Sequence, residues 1–138
     1  MSEGSPQGGG RPSGEVYDWY VRALALLEGG NPEAAASLLG HARAQEPDSA
    51  SVLEALARSV FDARRYAEAA ELFAELVEAQ PDNDYARFGL GLARVRLGDH
   101  TGAVEHLAMA VAMRPQRRDY ARALKEARAT LRFREQGA

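Results

Sequence analysis

The chain has 138 residues, a formal net charge of −3 and no cysteine. Its length suits one domain with a substantial core, and the lack of thiols excludes disulfides, cysteine nucleophiles and cysteine-ligated metal sites. The charge is uneven, because residues 114–138 carry eight Lys or Arg against three acids, whereas residues 1–113 carry nine against seventeen. An acidic body of this kind argues against a general nucleic-acid binder.

We expect neither a secretory signal peptide nor a membrane-spanning helix in this sequence. No apolar run approaches the roughly 18 residues that a membrane-spanning helix needs, and the N-terminus lacks the basic region and apolar core of a signal peptide. We therefore expect no membrane association and a cytoplasmic location. Residues 1–14 contain ten Gly, Ser or Pro, a composition typical of a flexible tail, with a docking arm as the alternative. The folded domain is predicted over residues 15–138.

From Glu15 onward, apolar residues recur at helical spacing and are interrupted by turn residues. The first helix is predicted to end at Gly29-Gly30, and the second to begin with Asn31 as its cap and Pro32 in its first turn. The turn of the second pair, residues 62–65, lacks glycine and is less clearly marked. The predicted inward positions of the first four helices are Val16, Trp19, Ala23 and Leu26; Ala35, Leu38, Leu39 and Ala42; Val52, Leu53, Leu56, Ala57 and Val60; and Tyr66, Ala69, Ala70, Phe73, Leu76 and Val77.

A third pair of helices is predicted over about residues 83–97 and 100–113, with Gly98-Asp99 as the turn. A seventh helix follows over about residues 116–134. Its apolar residues form one stripe and the rest of its surface is charged, as expected of a helix that closes the end of an array against water. The inward positions of these elements are Ala103, Val104, Leu107 and Ala110 on the sixth helix and Tyr120, Leu124, Ala127 and Leu131 on the seventh.

Landmarks of this pattern repeat at intervals of thirty-four residues. The central ones are Ala69, Phe73 and Pro81. Their counterparts are Ala35, Leu39 and Pro47 upstream, and Ala103, Leu107 and Pro115 downstream. A fixed period in this range is typical of a stacked repeat array, in which one unit cannot bury its apolar face alone.

The small residues at the repeated positions have a packing role. We predict that Ala23, Ala57 and Gly91 lie where the two helices of each pair come closest, since only small side chains permit that approach. The full motifs are Trp19-x-x-Arg22-Ala23-x-x-Leu26 with Ala35-x-x-x-Leu39 and Pro47, Leu53-x-x-Leu56-Ala57-x-x-Val60 with Ala69-x-x-x-Phe73 and Pro81, and Arg87-x-x-Leu90-Gly91-x-x-Arg94 with Ala103-x-x-x-Leu107 and Pro115.

These motifs resemble tetratricopeptide repeats over about residues 16–134. The resemblance implies an all-α fold, a right-handed α-solenoid of three helix-turn-helix repeats with a seventh, solvating helix. The repeats are expected at about residues 16–49, 50–83 and 84–117. Three arginines depart from the pattern, which prefers apolar residues there, but their stems can cover apolar surface while the charged heads reach water. They are Arg22, Arg87 and Arg94.

The sequence contains no recognisable catalytic or metal-binding arrangement. His41, His100 and His106 lie in different elements or six residues apart, which does not place two imidazoles on one helical turn. Its glycine-rich stretches neither follow a strand nor continue into a Lys-Ser/Thr phosphate loop. We therefore expect no metal, no cofactor and no enzymatic activity.

The first helix of each pair carries a second apolar stripe that packing within the pair does not use. Since the resemblance places these helices on a concave face, we predict a groove that binds an extended or helical protein segment. The alternative is that these side chains pack against neighbouring first helices. Tyr20 and Phe88 are the predicted anchors, because aromatic residues tend to dominate interfaces. The predicted groove residues are Tyr17, Tyr20, Leu24, Leu27, Glu54, Arg58, Phe61, Tyr85, Phe88, Leu92, Val95 and Arg122.

Three binding hypotheses follow. The leading one is an adaptor or scaffold that docks a partner protein, and the second is a homodimer that pairs through its aromatic patches. The third is contact with an acidic partner or nucleic acid through the basic last helix, which the acidic balance and scarce aromatics disfavour. The cationic residues concerned are Arg117, Arg118, Arg122, Lys125, Arg128 and Arg132.

One family property is disfavoured by the residues themselves. Chaperone-binding members hold a C-terminal carboxylate with Lys, Asn and Arg side chains on their first helices. The resemblance places Tyr20, Leu24, Ala55, Tyr85 and Gly89 at those positions, and none of them can make such contacts. Binding to the acidic tails of heat-shock chaperones is therefore not expected.

Overall fold

The computed structural model describes residues 14–137. The predicted tail, apart from Gly14, lies outside the described residues. Over the described range the chain forms seven α-helices and no strand, as predicted for an all-α fold. None of these helices combines the length and apolarity that crossing a bilayer requires. The helices are α1 Gly14–Glu28, α2 Pro32–Gln45, α3 Ala50–Asp62, α4 Tyr66–Ala79, α5 Asp84–Arg96, α6 His100–Met113 and α7 Arg118–Gly137.

The chain divides into two compact units, one that ends at Glu68 and one that begins at Ala69. In the first unit, α1 packs on α2 and α2 on α3, and α1 also touches α3. In the second unit, α5 packs on α6 and α6 on α7, and α5 also touches α7. Successive helices are joined by turns of three or four residues, which is the connection typical of helical hairpins.

The turns within the three predicted pairs share one backbone geometry. Gly30, Arg64 and Gly98, spaced thirty-four residues apart, have φ angles of 80°, 67° and 86°. In each turn this residue donates its amide to the carbonyl three residues back, and the next amide donates to the carbonyl five residues back, at 2.8–3.1 Å. This is the Schellman helix end, which satisfies otherwise unpaired carbonyls. The turn without glycine keeps the geometry by placing Arg64 in the left-handed region.

The turns between the predicted repeats are capped by short polar side chains. Ser49 and Asn83 each accept a hydrogen bond from the amide three residues on, at 3.2 and 2.9 Å. The next position in this register is Arg117, which cannot accept. Its guanidinium instead pairs with Asp119 at 2.7 Å and lies 4.4 Å from the centroid of the Tyr120 ring.

The predicted cap at Asn31 is wrong in one respect. Asn31 occupies the N-cap position of α2 and Pro32 begins the helix, but the Asn31 side chain makes no capping hydrogen bond. Its backbone has a φ of −121° and a ψ of 62°. At the matching position of α6, Asp99 accepts from the Gly102 amide at 3.0 Å and from Arg94 at 2.8 Å, which lowers the Asp99 pKa.

Most predicted inward positions are buried, and the small residues among them allow close helix packing. A Cβ added to Gly91 would lie 2.7 Å from the side chain of Leu107, so α6 approaches α5 at this glycine. A second close approach, which the sequence did not reveal, is at Gly89, where a Cβ would lie 2.5 Å from the Phe73 ring. The fully buried alanines are Ala23, Ala35, Ala42, Ala57, Ala69, Ala86, Ala93, Ala103 and Ala110.

The predicted faces of α1 need one correction. Leu26 was assigned to the core and Leu27 to the groove, but Leu27 is buried and Leu26 is only half-buried. Leu26 lies beside an open depression between α1 and α2, and no helix among residues 14–137 fills that space. A stripe drawn by helical spacing gives the faces of a helix, but its neighbours decide which face is covered.

The seventh helix docks through its predicted stripe. Tyr120 is fully buried, its ring stacks on Phe88 at 4.5 Å, and its hydroxyl donates to Asp84 Oδ2 at 2.6 Å. Burial and the neighbouring Asp84 carboxylate raise the pKa of Tyr120 well above its ordinary value. Leu124 and Ala127 complete the contact with the core of this unit. The helix that is predicted to close the array is therefore held in place by an aromatic stacking contact and a hydrogen bond.

Replacement of Gly30 or Gly98 by Ala is expected to destabilise the protein by about 1 kcal/mol, because a left-handed backbone strains any residue with a Cβ. Nothing lies within 4 Å of the added Cβ at either position, so the cost is conformational. Arg64→Gly is expected to raise the urea midpoint. The control is Gly40→Ala in the open interior of α2, which should stabilise by up to about 1 kcal/mol. A Gly98→Ala variant as stable as Gly40→Ala would contradict this account.

Gly89→Ala is expected to destabilise the protein, because overpacking against the Phe73 ring costs about 1–3 kcal/mol and outweighs the gain of up to about 1 kcal/mol in helix propensity. In a Phe73→Leu background the same change is expected to stabilise. A double-mutant cycle in urea measures this coupling. Gly91→Ala, which meets Leu107 instead, is the control and should not be rescued by Phe73→Leu.

Candidate functional site

The predicted groove residues of α1 form a partly exposed aromatic patch. Tyr17 is 50% exposed, and its ring centroid lies 6.5 Å from that of Tyr20, with the planes tilted by 36°. Tyr20 and Leu24 are half-buried. Leu27, at 7% exposure, offers a partner almost no surface. The reachable part of this stripe is therefore Tyr17, Tyr20 and Leu24, called here the α1 patch.

The predicted groove residues of α3 are half-buried, and Arg58 and Phe61 contact other side chains of the protein. Glu54 and Arg58 are charged, and Arg58 approaches Asp62 of the same helix at 3.9 Å. Phe61 meets Tyr66 edge-on, with centroids 5.1 Å apart. At this side-chain exposure, an ion pair such as Arg58–Asp62 contributes little to stability, so a partner could replace it at small cost.

The predicted residues of α5 are half-buried and several contact the core of the second unit. Tyr85 meets Phe73 edge-on at 6.0 Å, and Phe88 stacks on Tyr120. Phe88 and Val95 also pack against the cluster that joins α6 to α7. Phe88, predicted as a partner anchor, thus has a structural task in holding α7. Leu92 is half-buried on α5, and Arg122 is exposed on α7.

Two depressions were not predicted from the sequence. The first, of about 650 Å³, lies in the first unit between α1 and α2. The repeat register gave one indication of this depression. Leu26 and Leu38, which line it, correspond to Val60 and Leu72 thirty-four residues later, and those two residues are buried. Its lining residues are Arg22, Ala25, Leu26, Gly29, Asn31, Ala34, Ser37, Leu38 and His41.

The second depression, of about 390 Å³, lies in the second unit between α6 and α7. Apolar side chains form its floor and three cations surround them. We call this depression the α7 groove. Its lining residues are Val111, Ala121, Leu124, Lys125, Arg128 and Arg132.

The histidines are dispersed among the helices. His41 is exposed beside the first depression, His100 is buried and His106 is half-buried. Burial, followed by the nearby cations Arg94 and Arg87, lowers the pKa of His106, which favours its neutral form at pH 7. Between residues 14 and 137, no three His, Asp or Glu side chains are grouped to hold a metal ion.

Comparisons with known proteins relate the chain to repeat proteins. It is similar to MamA AMB-1 (TM-score 0.74, 25% identity, 88% of this chain and 67% of the other covered). It also resembles the Sgt2 TPR domain from Aspergillus fumigatus (0.84, 19%, 95% and 88%). A third similar structure is the first TPR of Spaghetti (RPAP3) bound to the HSP90 peptide SRMEEVD (0.80, 14%, 85% and 93%). The latter two likenesses concern the fold alone.

No curated protein sequence matches the chain significantly. The family assignment comes from a sequence profile described as "Tetratricopeptide repeat", which matches residues 20–84 and 54–118. These two overlapping matches cover more than half of the chain, and they are offset by thirty-four residues, the repeat register described above. The chain belongs to the tetratricopeptide repeat family.

Proposed function

We propose that this protein is a protein-interaction module, an adaptor or scaffold, that binds an extended or helical segment of a partner protein. The observation that carries the proposal is the α1 patch, where Tyr17 is half exposed beside Tyr20 and Leu24. The cysteine-free composition fits the cytoplasmic setting that we infer for it.

The chemistry of the α1 patch suits peptide binding. A tyrosine ring offers a large apolar surface with few rotatable bonds, and its hydroxyl can satisfy a backbone group of the ligand. The neighbouring helix α3 contributes Glu54 and Arg58, whose charges can select among ligands at the edge of an apolar contact. Binding rather than catalysis is the function that such a surface supports.

In the second unit we propose a smaller contribution from α5. Tyr85 and Leu92 are half-buried and can offer an apolar edge to a ligand, whereas Phe88 is occupied by its stacking on Tyr120. Of the two anchors predicted from the sequence, we therefore retain Tyr20 and assign Phe88 mainly to α7 docking. Arg122 remains a proposed polar contact at the edge of this surface.

The ligand that we propose is not a chaperone tail held by its carboxylate. One similar structure contains the HSP90 peptide SRMEEVD, but this chain lacks cationic or amide side chains at the positions matched to the carboxylate clamp. Two of those positions, Ala55 and Gly89, are also buried. An apolar anchor in the ligand suits the α1 patch better than a terminal carboxylate does.

The double variant Tyr17→Ser/Tyr20→Ser is expected to weaken binding by at least about tenfold, since an aromatic anchor typically contributes about 2 kcal/mol or more. The measurement is fluorescence anisotropy with peptides that have been selected against the wild-type chain from a displayed library. Val21→Ser, which removes another exposed apolar side chain of α1, is the matched control and should change affinity less than about threefold, as surface substitutions away from an interface do.

Equal losses in both variants, or no loss in the tyrosine variant, would contradict the proposed site, provided that circular dichroism shows unchanged helicity. Light scattering on the same samples tests the alternative that the protein forms a homodimer. A mass that rises with concentration in the wild type and not in the tyrosine variant would instead identify the α1 patch as a self-association surface.

The peptide SRMEEVD is expected to bind with a Kd weaker than about 1 mM, a free energy above roughly −4 kcal/mol. The physical reason is that no side chain at the matched positions can pair with its terminal carboxylate. Titration calorimetry measures this, with the first TPR of Spaghetti (RPAP3) as the positive control. Micromolar binding that is lost when the peptide terminus is amidated would show that a carboxylate clamp exists after all.

A further inference from the structure

One side of α7 corresponds, by the repeat register, to a surface on which another helix packs. In the preceding pair, α6 packs on α5 at Gly91, where an added Cβ would lie 2.7 Å from Leu107 and 3.4 Å from the Ala103 carbonyl. The residue thirty-four positions later is Lys125 of α7. By this register, the side of α7 around Lys125 corresponds to the side of α5 that receives α6. Among the described residues, no helix covers it.

The α7 groove lies on this side. The half-buried Val111 and the exposed Ala121 supply most of its accessible apolar surface, since Leu124 is only 7% exposed. Lys125, Arg128 and Arg132 follow one another at i, i+3 and i+7, so they lie along one face of the helix over about 10 Å. The combination of an apolar floor and a cationic edge is what an amphipathic ligand with negative charges requires.

The three cations of the α7 groove differ from Arg117 at the start of the helix. Arg117 is held by Asp119 and by the Tyr120 ring. Between residues 14 and 137, Lys125, Arg128 and Arg132 have no carboxylate within ion-pair distance. The other acids of α7, Glu126 and Glu135, do not line the groove. The groove therefore presents three cations that form no ion pair within this part of the chain.

We propose that the α7 groove binds an acidic amphipathic helix of a partner protein, which docks on α7 as the second helix of a pair. Apolar side chains of the ligand contact Ala121 and Val111, and its carboxylates pair with Lys125, Arg128 and Arg132. This site shares no residue with the α1 patch.

Two features of the α7 groove indicate that its ligand is an acidic helix. The register indicates a helix, because the equivalent side of α5 receives one. Lys125 replaces the glycine that lets α6 approach closely, so the ligand helix lies farther out, where long Glu side chains can reach the cations. Nucleic acid fits less well, because the groove lining contains no aromatic side chain on which a base could stack.

The probe for this site is a fluorescein-labelled helical peptide built of Glu-Leu-Ala-Ala-Leu-Glu-Glu heptads. Its neutral counterpart has every Glu replaced by Gln, which keeps the helix propensity similar. Anisotropy titrations are made with the full chain at two salt concentrations. The acidic peptide is expected to bind more weakly at the higher salt concentration, and the neutral peptide to bind at least tenfold more weakly than the acidic one.

The groove variant is Lys125→Gln/Arg128→Gln/Arg132→Gln. Its matched control is Arg64→Gln/Arg118→Gln/Arg134→Gln, which removes the same charge from exposed positions outside the groove lining. We expect the groove variant to lose at least tenfold in affinity and the control to lose less than threefold. Ala121→Glu, which places a carboxylate four residues before Lys125 in the groove, is expected to block binding without loss of helicity.

Equal losses in the two triple variants would overturn the proposal, because they would show general attraction to a basic helix. Retained binding in the groove variant would overturn it as well. Single-stranded DNA and anionic lipid vesicles are titrated in parallel, and groove-dependent binding of either with no binding of the acidic peptide would assign the site to that class of ligand instead. The variant Tyr17→Ser/Tyr20→Ser should bind the acidic peptide normally, so the failure of one site leaves the other testable.

Discussion

The close approach of neighbouring helices at small residues is the constraint on which the rest of this structure depends. At Gly91 the neighbouring Leu107 occupies the space that a side chain would need, and at Gly89 the Phe73 ring does the same. Because each helix is placed against the next by such contacts, the faces that remain open are decided by them too. The α1 patch and the α7 groove are surfaces left uncovered after this packing.

The last helix shows how one residue type can serve the fold or a ligand according to its neighbours. Phe88 is an aromatic residue of the kind that can anchor a partner. In this structure, however, it stacks on the buried Tyr120, whose hydroxyl donates to Asp84. Tyr17 has no such buried partner ring and stays half exposed beside Tyr20. The aromatic residues of α5 thus mainly stabilise the second unit, and those of α1 are the better candidates for binding.

Much of the fold was predictable, because it rests on local rules and a repeated register. Helical periodicity and turn residues predicted the seven helices, and they placed α5, α6 and α7 to within about three residues of their observed ends. Even the turn without glycine was located, although only the structure showed that Arg64 takes the left-handed backbone there. The site was less predictable, since spacing alone assigned Leu27 to the groove and Leu26 to the core, the reverse of their burial.

The sequence by itself determined the helices, the thirty-four-residue repeat and the small residues at the repeated positions, because each of these follows from the order of residue types along the chain. The tertiary structure alone decided that Phe88 stacks on Tyr120, that Leu27 is covered, and that Lys125, Arg128 and Arg132 line one groove, where they form no ion pair with another residue of the range 14–137. The physical reason is that exposure and pairing depend on neighbours distant in sequence, which helical periodicity does not specify.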